Sequence, residues 1–269
     1  MFFRTGLRWS RVHPIALSLG KFAIHWYGVL VAIGFVLGFW TASRRAPRDG
    51  IAPDTIMDFA PWLLIGAVIG ARLLHVISYW NEEFAGRPFI NVFMIQKGGL
   101  VFYGGFAGAL IATIFYSHRR GLPLWKVADI FAPSVSLGHF FGRFGCLMTG
   151  CCYGRPSDLP WAIHFPPGHD TYPTGVHPVQ VYEALLNLAL YGGLAFLYRR
   201  KKFDGQVFAT YLVCYAVLRM FVELFRADYR PGEFLFYGSL KPGQTVSMLV
   251  LAGGLFLFWM LRRKPAPAA

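Results

Sequence analysis

Charge is what this chain has least of. Only 14% of its 269 residues are Asp, Glu, Lys or Arg, against about 25% in soluble domains, and its mean hydropathy is +0.45. An ordinary soluble core is excluded. Acids are scarcest: 13, against 26 lysines and arginines, for a net charge of +13. Cysteine is also rare, at Cys146, Cys151, Cys152 and Cys214. An even number permits disulfides in an oxidising compartment, but adjacent Cys151 and Cys152 are poorly placed to bridge each other, and Cys214 lies in an apolar run. There is no internal repeat, no low-complexity segment and no second domain. A cleavable signal peptide fits poorly: Met1 to Lys21 carries Arg4, Arg8, Arg11 and Lys21 around a short apolar stretch, Pro14–Gly20. Residues 1–21 are expected to form an arm along the membrane surface, and 265–269 a disordered tail.

What is abundant is apolar and aromatic: 55% hydrophobic residues and 26 phenylalanines. A bilayer core about 30 Å thick needs about 20 apolar residues in a helix. Seven segments qualify, near 22–43, 57–80, 99–117, 128–148, 179–198, 206–225 and 243–262. The expected fold is an all-α, polytopic membrane protein of seven transmembrane helices in one domain, 1–264. Basic clusters follow the odd-numbered segments: Arg44, Arg45 and Arg48; Arg119, Arg120 and Lys126; Arg199 to Lys202; Arg262 to Lys264. Only seven spans put all four on one face, and positive charge marks the cytoplasm. The amino terminus is then outside and the carboxyl terminus inside. On the outer face, connections at about 149–178 and 226–242 are rich in Gly, Pro, Asp and aromatics, and are expected to form a small head. The dispersed basic clusters suit anionic lipid and not nucleic acid, which needs a solvated basic face.

An arginine at the bilayer centre costs about 2.5 kcal/mol or more unless paired or functional. Arg72, Arg143, Arg219 and Arg226 lie in or near spans. Arg219, Glu223 and Arg226 share one helical face, and Tyr215 is one turn before Arg219. Glu183, Glu223 and Asp58 are the candidate embedded acids, too few to neutralise every cation. A phospholipid headgroup supplies the missing anion, since arginine presents a planar fork to phosphate. Gly98-Gly99 and Gly104-Gly105 flank Tyr103, while Gly142, Gly145, Gly150 and Gly154 punctuate the run after His139. Helix packing accounts for most of these glycines; close approach to a ligand is the alternative. His177, Pro178, Gln180 and Glu183 open the fifth segment. The spacing C-x4-C-C of Cys146, Cys151 and Cys152 matches no zinc signature, so no metal and no cofactor is expected.

These residues together resemble the prolipoprotein diacylglyceryl transferase family over nearly the whole chain. The resemblance rests on Ile24-His25-Trp26-Tyr27-Gly28, Gly70-Ala71-Arg72, Gly98 through Gly105, Gly142-Arg143-Phe144-Gly145, His177-Pro178-x-Gln180-x-Tyr182-Glu183 and Arg219-x-x-x-Glu223-x-x-Arg226, in that order. It implies transfer of the diacylglyceryl group from phosphatidylglycerol to the lipobox cysteine of a preprolipoprotein signal peptide, at a site facing the periplasmic side of the bacterial inner membrane. Arg143, Arg219 and Tyr103 are then the expected catalytic residues. Tyr27, Arg72, Tyr215, Glu223, Arg226, Gly104 and Gly154, with Arg143, would hold phosphatidylglycerol. Cys146, Cys151 and His177 remain open. The chain departs from the family signature G-R-x-G-N-x-x-N-G-E at Cys146, Thr149 and Cys151, and carries Tyr103 where the family usually has histidine. Two other readings follow from those departures: a thiol-redox or metal-handling membrane protein on the same scaffold, and a lipid-binding relative without catalysis.

Overall fold

The computed structural model describes residues 14–19, 22–95, 98–227 and 242–263. Among them are seven helices of at least eighteen residues: α1 (Trp26–Arg45), α2 (Phe59–Ser78), α3 (Phe102–Arg119), α4 (Leu124–Thr149), α5 (Val179–Tyr198), α6 (Gln206–Glu223) and α7 (Pro242–Arg262). Each matches one of the seven apolar segments read from the sequence. A helix lets its backbone satisfy itself within one segment, as a bilayer requires.

Five of the seven, α1, α2, α5, α6 and α7, are long and apolar enough to cross a membrane. α3 and α4 fall short. α3 is diluted by Gly104, Gly105 and Gly108 and ends on His118 and Arg119. α4 spends positions on Lys126, Asp129, Ser134, Ser136, His139 and Arg143. The outward faces are apolar: Leu64, Ile65, Ile69, Leu73 and Ile77 of α2 are all exposed. A patch of this size on a helix otherwise hydrophobic all round is a lipid-facing surface. The chain is a polytopic, all-α membrane protein.

The amino-terminal segment differs from expectation. Strands β1 (Ile15–Leu19) and β2 (Phe22–His25) pair antiparallel, Leu17 opposite Ile24 and Leu19 opposite Phe22. α1 therefore starts at Trp26, not residue 22. The signal was there: Ile15, Leu17 and Leu19, then Phe22 and Ile24, alternate with period two across a two-residue link containing glycine. Residues 1–13 of the expected arm, most of the loop at 226–242 and the tail 265–269 lie outside the described residues.

The described residues fall into two compact units, Ala42–Val127 and the residues on either side of it. In Ala42–Val127, α2 packs against α3 through glycines. A Cβ on Gly70 or Gly104 would collide with the facing helix's backbone, and one on Gly66 would sit 2.7 Å from the Gly108 carbonyl oxygen. Gly104, a candidate headgroup contact in the sequence, is buried in this crossing. Arg72 Nε donates to Val92 O at 2.8 Å, Nη2 to Asn91 O at 2.8 Å, and Nη1 to Gly98 O and Gly99 O at 2.9 and 3.1 Å. Its guanidinium thus fastens the 91–99 connection to α2. Asp58, a candidate embedded acid, is instead half-exposed and pairs with Arg120 at 3.3 Å.

In the other unit, α1 meets α4 where Ser134 Oγ donates to Gly38 O at 2.6 Å. α4 meets α5 where Ser136 Oγ donates to Asn187 O at 3.0 Å. The polar residues that make α4 the least apolar helix thus face its neighbours. Asp129, fully buried, accepts from the Gly205 and Phe208 backbone amides at 2.9 Å each and from Lys201 Nζ at 3.1 Å. Those amides begin α6, so a carboxylate from α4 caps the positive end of that helix.

Candidate functional site

The carboxyl ends of α4 and α6 and the amino ends of α1, α5 and α7 converge. On α4, Arg143 Nη2 pairs with Glu183 Oε1 of α5 at 2.9 Å. The other oxygen of Glu183 accepts from Arg219 Nη1 of α6 at 3.3 Å. Arg219 Nη2 reaches Glu223 Oε2, one turn further along α6, at 2.9 Å. Gly243 of α7 closes against the Glu223 carboxylate, where a Cβ would lie 2.8 Å from it. Arg143–Glu183–Arg219–Glu223 is therefore a chain of alternating charge. Glu183 and Glu223 are 1% and 0% exposed. Buried charges in such a place need partners, and here each carboxylate fixes the guanidinium beside it.

Around this chain, Tyr215 stacks between Tyr211 and His139, with ring centroids 5.6 and 5.1 Å away. Tyr27, at the start of α1, lies against Gly145; a Cβ there would stand 2.8 Å from its ring. Gly154 occupies the bridge that joins the connection after α4 to the end of α6, pairing with Arg226. Its amide donates to His177 O at 3.2 Å, and a side chain at 154 would meet that carbonyl at 2.6 Å. His177 is set by its backbone and by Tyr182, whose hydroxyl is 3.3 Å from Nδ1.

The three cysteines meet at the exit of α4. Arg143 Nη1 points at Cys146 Sγ, 4.0 Å away and one turn along the helix. The backbone turns back through Gly150 at φ +77° and Cys152 at φ +62°, the latter a left-handed conformation that side chains seldom adopt. That reversal puts the sulfurs of Cys146, Cys151 and Cys152 all within 4.8 Å of one another. Cys151 N donates to Cys146 O at 3.1 Å. Buried Gln180 Nε2 holds Cys151 O at 2.7 Å, and His169 Nε2 contacts Gly150 O at 2.8 Å. Cys151 is exposed and the other two are half-buried. Hydrogen bonds from the Cys146 and Cys152 thiols hold the Cys151 thiol well below the usual cysteine range.

The expected site residues thus sort into groups. Arg143, Arg219, Glu223, Tyr215, Tyr27, Cys146 and Cys151 gather at one end of one unit, with Gly154, His177 and Arg226 in the connections beside them. Arg72, Tyr103 and Gly104 belong to the other unit, where Tyr103 is 71% exposed at the start of α3. Sequence reasoning gave Glu183 no part in the site, yet it joins the two arginines. The signal was the scarcity of embedded acids: one of only three candidates had to serve the cations on neighbouring helices.

The family model described as prolipoprotein diacylglyceryl transferase matches residues 14–260. The chain is 35% identical to a protein of Allorhizobium ampelinum, over 96% of this chain and 92% of that one. It is 35% identical to a protein of Nitratidesulfovibrio vulgaris, over 98% and 99%, and 37% identical to one of Solidesulfovibrio magneticus, over 93% and 94%. Each of the three is named a phosphatidylglycerol–prolipoprotein diacylglyceryl transferase. With a family match running nearly end to end and relatives above a third identity along almost their full lengths, the chain belongs to the prolipoprotein diacylglyceryl transferase family.

Proposed function

We propose that this protein transfers the diacylglyceryl group of phosphatidylglycerol to the cysteine thiol of a prolipoprotein. The observation that carries the reading is the buried Arg143–Glu183–Arg219–Glu223 chain in a chain of this family. The acceptor sulfur attacks the glyceryl carbon that bears the phosphate. The C–S bond forms as the C–O bond breaks, and the electron pair leaves on glycerol phosphate. Arg143 and Arg219 stabilise the charge that grows on that phosphate. Donors already in place, in a site with little water, cost no reorganisation at that moment. Glu183 and Glu223 keep the two forks aimed, while Tyr27 and Tyr215 bind the headgroup or the incoming thiol.

All seven long helices cross the membrane in this reading, α3 and α4 with their polar faces turned to their neighbours. The basic clusters lie on the cytoplasmic side. α4 and α6 then run outward and α5 runs inward, so Arg143, Arg219 and Glu183 lie toward the periplasmic face of the inner membrane. The connection after α4 forms a head there. Its own small core is Leu147, Ile163, Phe165 and Val176. The acceptor is a signal peptide with a lipobox cysteine.

The test is a transfer assay in membranes from a host without its own transferase. Labelled diacylglycerol is expected on a lipobox peptide with the intact protein and not with Arg143→Ala. No transfer by the intact protein would reject the reading.

A further inference from the structure

The three-cysteine cluster has no part in gripping phosphate, yet it is built beside the residues that do. Three free thiols converge within 4.8 Å. A zinc ion with bonds of about 2.3 Å to each of three sulfurs would set them about 3.8 Å apart, well inside that limit. The cluster is also preorganised. Cys152 is held at φ +62°, Gln180 fixes the Cys151 carbonyl and His169 contacts the Gly150 carbonyl. Supporting contacts of this kind are typical of ligand loops. Cys146 closes one side from within α4, while Cys151 is exposed, so the site has an open face. The guanidinium of Arg143 at 4.0 Å from Cys146 offsets part of the negative charge that three thiolates bring.

We propose that Cys146, Cys151 and Cys152 bind a zinc ion whose fourth position takes the acceptor cysteine of the prolipoprotein as a thiolate. This rests on the transferase reading above and names how its nucleophile is made. Three protein ligands and one open position are the arrangement of a catalytic zinc, and a thiol that coordinates zinc gives up its proton. The acceptor S–H proton goes to solvent on binding. The sulfur's electron pair forms the C–S bond, and the pair from the broken C–O bond leaves on glycerol phosphate. No oxidant or reductant takes part, and zinc remains divalent. Arg143 then stands between the two halves of the reaction, with Cys146 on one side and Glu183 on the other. No dedicated protein base is needed to activate the thiol.

The test uses the full-length protein purified in detergent under reducing conditions. Stoichiometric zinc is expected by elemental analysis. After zinc is replaced by cobalt, sulfur-to-cobalt charge-transfer absorption should appear. A lipobox peptide should shift the cobalt d–d bands, and the same peptide with serine for its cysteine should not. Chelation to the zinc-free form should lower transfer by about a hundredfold or more, restored by added zinc. Cys151→Ser and Cys152→Ser should lose metal and transfer together, whereas Cys214→Ser, in α6 and outside the cluster, should keep both. Protein that binds neither zinc nor cobalt, or whose cobalt spectrum ignores the cysteine peptide, overturns the proposal. Transfer that persists in verified zinc-free protein also overturns it and leaves the transferase standing. Protein that binds zinc and peptide but never transfers rejects the transferase reading, and the nucleophile role with it.

Discussion

Arg143 and Glu183 form an ion pair of 2.9 Å between α4 and α5, with the carboxylate 2% exposed. Because the same carboxylate also meets Arg219 at 3.3 Å, Glu183 decides where both guanidinium groups point. Neither arginine is held only by its own helix.

Glu183→Gln should therefore act like a mutation of both arginines. It keeps the shape and removes the charge, leaving Arg143 without its main anion. Breaking a buried pair in this way costs about 3–5 kcal/mol, read as a lower melting temperature in detergent. Transfer per folded molecule should fall by about a hundredfold. Arg143→Lys is the complementary variant. It keeps the positive charge but loses the planar fork, so it should bind donor lipid weakly and recover only part of the rate. A Glu183→Gln protein with unchanged turnover would mean the pair only stabilises the fold.

Asp129 makes a second, separable prediction. Its carboxylate caps α6 through two amides and pairs with Lys201. Asp129→Ala removes all three partners and leaves the α6 amides unmet in a buried place. A loss of about 2–3 kcal/mol is expected. The check is the temperature at which the detergent-solubilised protein aggregates, compared with wild type.

How much of this was readable in the sequence depends on the range of the forces involved. The seven helices are local: each follows from a run of apolar residues, and their observed ends fall within a few residues of the apolar segments. The family motifs placed Arg143 and Arg219 for the same reason. Three features were not placed. The β1–β2 hairpin was overlooked although its period-two alternation was present, because Phe22–His25 runs directly into the first apolar segment and reads as its start. Glu183 joining two arginines is a contact over 40 and 36 positions of sequence, and no pattern in one segment reports it. The cysteine cluster depends on a left-handed residue at Cys152, which its identity gives no reason to expect. Spacing alone spoke against a metal, whereas folded geometry brings the sulfurs together.

Two glycines separate packing from tolerance. Gly154→Ala would place a methyl group 2.6 Å from the His177 carbonyl oxygen and against Val179, whereas Gly192 in α5 has nothing within 4 Å. The first should displace the connection after α4 and lower both stability and transfer. The second should be neutral or stabilise by up to about 1 kcal/mol, since alanine is the better helix former. Equal behaviour of the two variants would contradict the close packing at Gly154.

Cys151 should be the reactive thiol of the zinc-free protein. Hydrogen bonds from Cys146 and Cys152 favour its thiolate and lower its proton affinity. A lowered value means the thiolate persists below the pH at which an ordinary cysteine, near 8.5, is protonated. Only the thiolate is alkylated. At pH 6 iodoacetamide should therefore label Cys151 well ahead of half-buried Cys214, and peptide mapping by mass spectrometry reads the order directly. The advantage should shrink as pH rises toward 9, because Cys214 then ionises while Cys151 is already a thiolate. Added zinc should protect Cys151 and leave Cys214 unaffected. Labelling of Cys151 that rises only above pH 8 would show that its neighbours do not stabilise the thiolate.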